Sequence, residues 1–219
     1  MRFQEIPGFE EEKKRLINSY KSNIISHAQL FFGLEGSPNL SLALAFATYL
    51  NCENKLEEDS CGKCSSCSKM KKLIHPDVNF IFPVAPSLKI TKEIISDKYI
   101  DRWREICIEN PYMNINDWFE FYGFENKQPN ISKDEARSII KKLSLKPFES
   151  KFKIIFQIPF SSFSMWVEVV FQLFILPTKN TDCAFSSSYV NRTPFLVIST
   201  ENKIDTINNI EKIKIIFFI

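Results

Sequence analysis

The chain carries 219 residues with a formal net charge of +2, from 28 Lys and Arg against 26 Asp and Glu, and a 44% hydrophobic content. The near balance of charge gives no global basic signal for nucleic-acid binding, and the apolar content supports a real core. The longest apolar run, Met165 to Leu176, is interrupted by Glu168 and Gln172, so a membrane-spanning helix is not expected. Met1-Arg2-Phe3-Gln4-Glu5 has no apolar core behind a basic start, which argues against a secretion signal and for a reducing, cytoplasmic setting.

Phe9 to Lys21 reads as an amphipathic helix, with Leu16, Ile17 and Tyr20 as its stripe and Glu10, Glu11 and Glu12 favouring its N-terminal end. Ser26 to Gly33 reads as a short buried strand entering a glycine loop. Ser41 to Leu50 then reads as a buried helix, so the layout is that of a nucleotide-binding P-loop. The chemistry of that loop is missing. Counted from Gly33, with Gly36 inside the loop, Pro38 stands where the second glycine belongs, Asn39 where the lysine belongs and Leu40 where the hydroxyl belongs. Pro38 removes a backbone N–H from a phosphate cradle, Asn39 supplies no cation and Leu40 cannot ligate Mg²⁺. The loop by itself does not exclude a plain strand-to-helix connection with no nucleotide ancestry.

Four of the six cysteines follow within a C-x8-C-x2-C-x2-C arrangement: Cys52, Cys61, Cys64 and Cys67. Two successive C-x2-C steps bring three thiolates around one point, and Cys52 completes a tetrahedron. Zn²⁺ takes four soft ligands in that geometry, and a closed four-sulfur site is structural rather than catalytic. Free core cysteines or disulfides are the bland alternative. Spacing this dense in a cytoplasmic chain favours the metal.

His75-Pro-Asp-Val-Asn-Phe-Ile-Phe82 contains an alternating strand, and His75 reads as a turn residue rather than a fifth ligand. Residues 84 to 130 are rich in aromatic and basic residues in short helices. Interleaved rings and cations could stack on single-stranded nucleic acid; packing of an insertion against its parent domain is the favoured reading, because acids match bases. Cys107 there has no partner by spacing. Ser132-Lys-Asp-Glu135 is a capping box opening a helix to about Leu143, with Ala136, Ile139, Ile140 and Leu143 on one face. Phe152 to Ile158 is an apolar strand, followed by Gln157-Ile-Pro-Phe-Ser161 where a P-loop ATPase would carry paired acids. From 159 to 190 no period holds, Pro194 to Ser199 reads as one further strand, and Lys212 to Ile219 looks like an abrupt, uncapped end. The strands at 29–33, 78–82 and 153–158 are expected to lie side by side in a parallel sheet with helices on both faces.

Taken together these residues resemble the δ′ (delta-prime) subunits of bacterial DNA polymerase III clamp loaders. The likeness rests on Ser26-His-Ala-Gln-Leu-Phe-Phe-Gly33, the cysteine knuckle after the P-loop helix, His75-Pro-Asp-Val78, and Ile131-Ser-Lys-Asp-Glu-Ala-Arg137 with Lys146-Pro-Phe148. It covers about residues 1 to 156. The segment at 84 to 130 resembles an insertion found in a subgroup of these subunits. The knuckle is shared with the γ/τ motor subunits, which keep the P-loop residues that δ′ subunits commonly lose.

The resemblance implies an α/β fold of the AAA+ class: an ATPase-like core over 1–158 with the zinc knuckle at 52–67 and the insertion at 84–130. Residues 159–219 are then an aberrant remainder of that core, as a shifted reading frame would give, with lid and collar incomplete or absent. It implies a non-catalytic stator in a ring with γ/τ and δ subunits. That ring loads the sliding clamp onto primer-template DNA within the polymerase III holoenzyme, a nucleotidyltransferase complex. This chain would bind structural Zn²⁺ and no ATP, no membrane and no small-molecule substrate. The family's arginine finger comes from a Ser-Arg-Cys-type motif; here Arg192 is the only arginine after Arg137, and its surroundings do not match. The competing readings are an active γ/τ-type ATPase with an unusual loop and a zinc-knuckle module that binds nucleic acid.

Overall fold

The computed structural model describes residues 1–34, 36–87, 90, 92–124, 127–158, 196–199 and 213–218. A 3₁₀ turn at Phe3–Glu5 leads to α1 (Glu10–Lys21), β1 (Ala28–Phe32), α2 (Asn39–Asn51), α3 (Ser65–Lys71) and β2 (Val78–Ile81). A second 3₁₀ turn, Ser96–Tyr99, opens α4 (Ile100–Glu109), followed by α5 (Ile115–Tyr122), α6 (Lys133–Leu143), β3 (Lys153–Gln157), β4 (Leu196–Ser199) and β5 (Ile213–Phe218).

The strands form one sheet in the order β2-β3-β5-β1-β4. Four of them run parallel, and β4 pairs antiparallel with β1 at the edge. This corrects one expectation. β2 and β3 are neighbours, but β5 stands between β3 and β1. The stretch read as an abrupt end is therefore a strand inside the sheet, and its run Ile213-Lys-Ile-Ile-Phe-Phe218 is the near-continuous apolar kind that parallel strands carry.

Alternation along the strands sorts the core. Phe80 and Phe156 face each other in register with rings stacked 5.0 Å apart, on the side that packs with α2. Every residue of α2 is buried, and its mid-helix alanines allow close approach to the sheet. Ile81 and Ile155 point to the other side and meet Ile139 and Leu143 of α6, so helices cover both faces. The other half of the expected α6 stripe stays outside: Ala136 is exposed and Ile140 is 66% exposed. Ala136 and Ile140 lie on a line rotated by about 60° from Ile139 and Leu143, away from the sheet.

The start of α6 departs from its expectation in one half. Ser132 Oγ accepts from the Glu135 amide at 3.2 Å, as a cap should. The Glu135 carboxylate does not turn back to Ser132; it lies 1% exposed and accepts from the Ser96 amide and, at 2.8 Å, the Ser96 hydroxyl. Burial costs a carboxylate its hydration, and the free donors at the start of the second 3₁₀ turn replace it. At the other end of α6, Lys153 of β3 donates its Nζ to the carbonyls of Lys142 and Leu145 at 2.8 and 2.7 Å. A cation there also suits the negative end of the helix dipole.

Backbone hydrogen bonds exchanged between Val84 and Asn130, 3.1 and 3.0 Å, close the aromatic-rich segment at its base. Inside it Trp103 stacks on Phe82 at 4.2 Å, and Trp118 meets both rings edge-on at 5.2 Å. Both indoles are 0% exposed, and Trp118 Nε1 donates to the Pro83 carbonyl at 3.0 Å. Packing, not a stacking platform for bases, is what these tryptophans supply. We expect Trp118→Ala to cost about 3–5 kcal/mol in urea unfolding; a loss below about 1 kcal/mol would mean that the ring is not core. Cys107 is buried in the same cluster, and burial alone pushes its thiol well up.

Candidate metal centre

Cys52 follows the last residue of α2 as its C-cap, and Cys64 is the N-cap of α3. The two helices thus present their facing ends to one point, and the loop between them supplies Cys61. One turn into α3 stands Cys67, whose amide donates to Cys64 Sγ at 3.4 Å. Glu53 accepts from the Ser66 amide at 3.1 Å and so covers a second free donor of this short helix.

The four sulfurs lie within 4.8 Å of one another, and among the described residues no His, Asp or Glu joins them. Three of the separations are 3.5 Å for Cys52–Cys61 and 3.9 Å for Cys52–Cys64 and Cys61–Cys67. Zn–S bonds of about 2.3 Å in a tetrahedron put sulfurs roughly 3.8 Å apart. The donor set and spacing fit a tetrahedral metal ion held by Cys52, Cys61, Cys64 and Cys67. All four are free thiols rather than disulfides.

The electrostatics are prepared by backbone. Cys61 Sγ accepts from the amides of Lys63 and Cys64 at 3.5 and 3.3 Å, and Cys52 Sγ accepts from the Cys61 amide at 3.3 Å. The amides of Lys63 and Cys64 bring the Cys61 thiol down to about 6. Burial pushes Cys52 and Cys67 up. A metal ion must overcome that second effect by its own charge, which is how thiols in closed sites lose their protons.

His75 stays outside the cluster, as a turn residue. Its Nδ1 accepts from the Asp77 amide at 3.1 Å, and Nε2 lies 3.5 Å from Glu149 Oε1. Glu149 in turn pairs with Lys69 of α3. Asp77 is 1% exposed, and its partners were not read from the sequence. Its carboxylate accepts from the amides of Phe148, Glu149 and Ser150 and from the Ser150 hydroxyl, the last three at 2.9 Å. The pair His75-Pro-Asp77 and Lys146-Pro-Phe-Glu-Ser150 is therefore one unit, a loop before β3 gripped by a carboxylate before β2. Both segments read as motifs in the sequence, where nothing joins them.

In the glycine loop between β1 and α2, the side chains of Ser37 and Asn39 crowd Gly33. A Cβ on Gly33 would stand 2.7 Å from Asn39 Oδ1 and 2.9 Å from Ser37, so the loop needs glycine there for close approach. Gly36 has φ +79°. Pro38 is the buried N-cap of α2, and Asn39 and Leu40 are 7% and 2% exposed. Arg192, the arginine weighed for a finger, lies outside the described residues, as do most residues of 159–219.

A family profile described as "DNA polymerase III, delta subunit" matches residues 8–157, which span β1, the cysteine cluster, the His75–Asp77 turn and β3. The chain belongs to this DNA polymerase III family. Within it the chain is similar to DNA polymerase III subunit delta' of Escherichia coli, at 31% identity over 35% of this chain and 23% of that one. Likeness to subunit delta' of Bacillus subtilis is 34% over 35% and 23%. Subunit tau of the same Bacillus is 36% identical over 30% of this chain and 12% of that one. The alignments thus span about a quarter or less of the length of these relatives. No helix among the described residues is long and apolar enough to cross a membrane.

Proposed function

We propose that the chain is a delta-prime-type clamp-loader subunit of DNA polymerase III with an AAA+ core, acting without nucleotide chemistry of its own. The observation that carries this reading is the glycine loop. The positions that would hold a lysine and a Mg²⁺-binding hydroxyl are Asn39 and Leu40, both buried, and Pro38 offers no amide to a phosphate. Phosphoryl transfer needs all three contributions. The four cysteines hold a structural Zn²⁺ in this reading. Residues 1–158 carry most of the ATPase-like core, with the insertion at 84–130, and residues 159–219 are an aberrant remainder of that core whose strands β4 and β5 join its sheet. Partners are the γ/τ and δ subunits, with the sliding clamp and primer-template DNA met through the assembled ring in the cytoplasm.

Similarity to a tau subunit supports a second reading, an active γ/τ-type ATPase. One experiment separates them. Calorimetric titration with ATP and Mg²⁺ is expected to give no binding tighter than about millimolar, and no phosphate release above background. Micromolar, Mg²⁺-dependent affinity would overturn the delta-prime reading in favour of the motor one.

A further inference from the structure

The loop that joins Cys52 to Cys61 also holds the start of the chain. Asp59, two residues before Cys61, is 7% exposed. Its Oδ1 accepts from the Phe3 amide at 3.1 Å and the Ser60 amide at 2.7 Å, and its Oδ2 accepts from the Gln4 amide at 3.0 Å. Phe3 and Gln4 open the first 3₁₀ turn, whose leading amides have no partner within the turn. Asp59 turns its own carbonyl to the Leu56 amide, 2.8 Å, so the loop folds back on itself and carries the carboxylate inward.

On the other side of Cys61 the N-terminal segment is touched again. Gly62 has φ +70°, and a Cβ there would stand 2.9 Å from Arg2 Cδ. What is held in place is apolar. Phe3 is 2% exposed with its ring 6.1 Å from that of Tyr49 in α2, and Ile6 is 1% exposed. The buried Lys13 of α1 then donates to the Ile6 carbonyl at 2.6 Å.

Asp59, Ser60, Cys61 and Gly62 are consecutive, so fixing Cys61 on a metal fixes the backbone that carries both contacts. We propose that the cysteine cluster is a clasp for the N-terminal segment: metal bound at Cys61 keeps Asp59 on the amides of Phe3 and Gln4, and so keeps Phe3 and Ile6 seated against α2. Asp59 is a positioning residue in this scheme, and the scheme rests on the metal reading of the cysteines. Coupling is reciprocal, so loosening Asp59 must also weaken metal binding.

Amide exchange in the full 219-residue chain tests this. Zinc content is measured first, and exchange at Phe3 and Gln4 is then followed with the metal bound and after stripping by a chelator. Exchange at these two amides should accelerate at least tenfold on stripping, while the amides of α2 keep their protection. Asp59→Asn should reproduce the acceleration with zinc present and weaken zinc affinity several-fold in competition with a chromogenic chelator. Stoichiometric zinc with unchanged exchange at Phe3 and Gln4 overturns the clasp and leaves the metal reading standing. Absence of zinc from the unaltered chain overturns both. Loss of α2 protection together with the N-terminal amides would show that the metal holds the whole domain, which also overturns the clasp. The chelation arm uses the unaltered chain, so it decides the matter even where the Asp59→Asn protein does not fold.

Discussion

Cys64→Ser is expected to abolish stoichiometric zinc and to lower the melting temperature by roughly ten degrees. Serine keeps the size of the N-cap of α3 and an acceptor for the Cys67 amide, but it does not supply the thiolate. The loss therefore reports the metal rather than the cap. A ligand present at a thousand times its Kd stabilises a folded chain by about 4 kcal/mol, and 1 kcal/mol corresponds to about 2–4 °C for a chain of this size. Cys107→Ser is the control: Cys107 lies outside the cluster, so zinc content should not change. Metal analysis and thermal unfolding of the two proteins, purified without chelator, read the result. One zinc per chain in the Cys64→Ser protein would overturn the assignment.

The second large effect is at Asp77. Burial by itself would raise this carboxyl, but the amides of Phe148, Glu149 and Ser150, with the Ser150 hydroxyl, outweigh it and hold the group below its usual range. Asp77→Ala strands three backbone donors, and hydrogen bonds to a charged acceptor are worth about 1.5–3 kcal/mol each. A net loss of about 3 kcal/mol or more is expected in urea unfolding, with Asp77→Asn intermediate. The pH dependence follows from the sign. A depressed folded value gives stability that is complete above the unfolded value, about 3.9, and that is lost as pH falls toward the folded one. His75 acts in the same direction at higher pH. Burial lowers it, so its protonation below about 6.5 favours the unfolded chain. Unaltered protein should thus lose stability in two acid steps, and Asp77→Ala should lack the lower one. A profile for Asp77→Ala that matches the unaltered protein below pH 4 would count against this account.

The parts of the site that were legible in the sequence are the local ones. Cys52, Cys61, Cys64 and Cys67 converge because their spacing already bends the chain around one point. The empty positions of the glycine loop are likewise read one residue at a time. The elements α1, β1, α2, β2, α6 and β3 were readable for the same reason, since amphipathic period and caps act within a turn or two; α3 was not. What was not legible depends on partners far along the chain. Glu135 obeys its capping rule only until Ser96, 39 positions earlier, offers better donors to a carboxylate that is being buried. Lys153 breaks the apolar pattern of β3 and looks like a surface residue until the end of α6 arrives above it. Asp77 names no partner by spacing, because the loop at 148–150 reaches it only when β2 and β3 pair. The position of β5 is the largest case: an apolar run states that it wants cover on both faces, not between which strands.

That position sets the order in which the molecule can assemble. β1 aligns with β5 from Ala28 against Ile215 onward, and β5 also pairs with β3, so the two halves of the sheet have no direct seam. β2 can pair with β3, and β1 with β4, before residue 213 is made, but these two halves of the sheet meet only through β5. Until then one edge of β3 and one edge of β1 are open templates for any passing strand. Contacts of such long sequence separation also slow folding. During synthesis, the interval before β5 emerges is the period in which this chain most needs a chaperone. A brief pulse-labelling experiment should find ribosome-bound chains halted before residue 213 far more sensitive to protease than chains in which β5 has emerged.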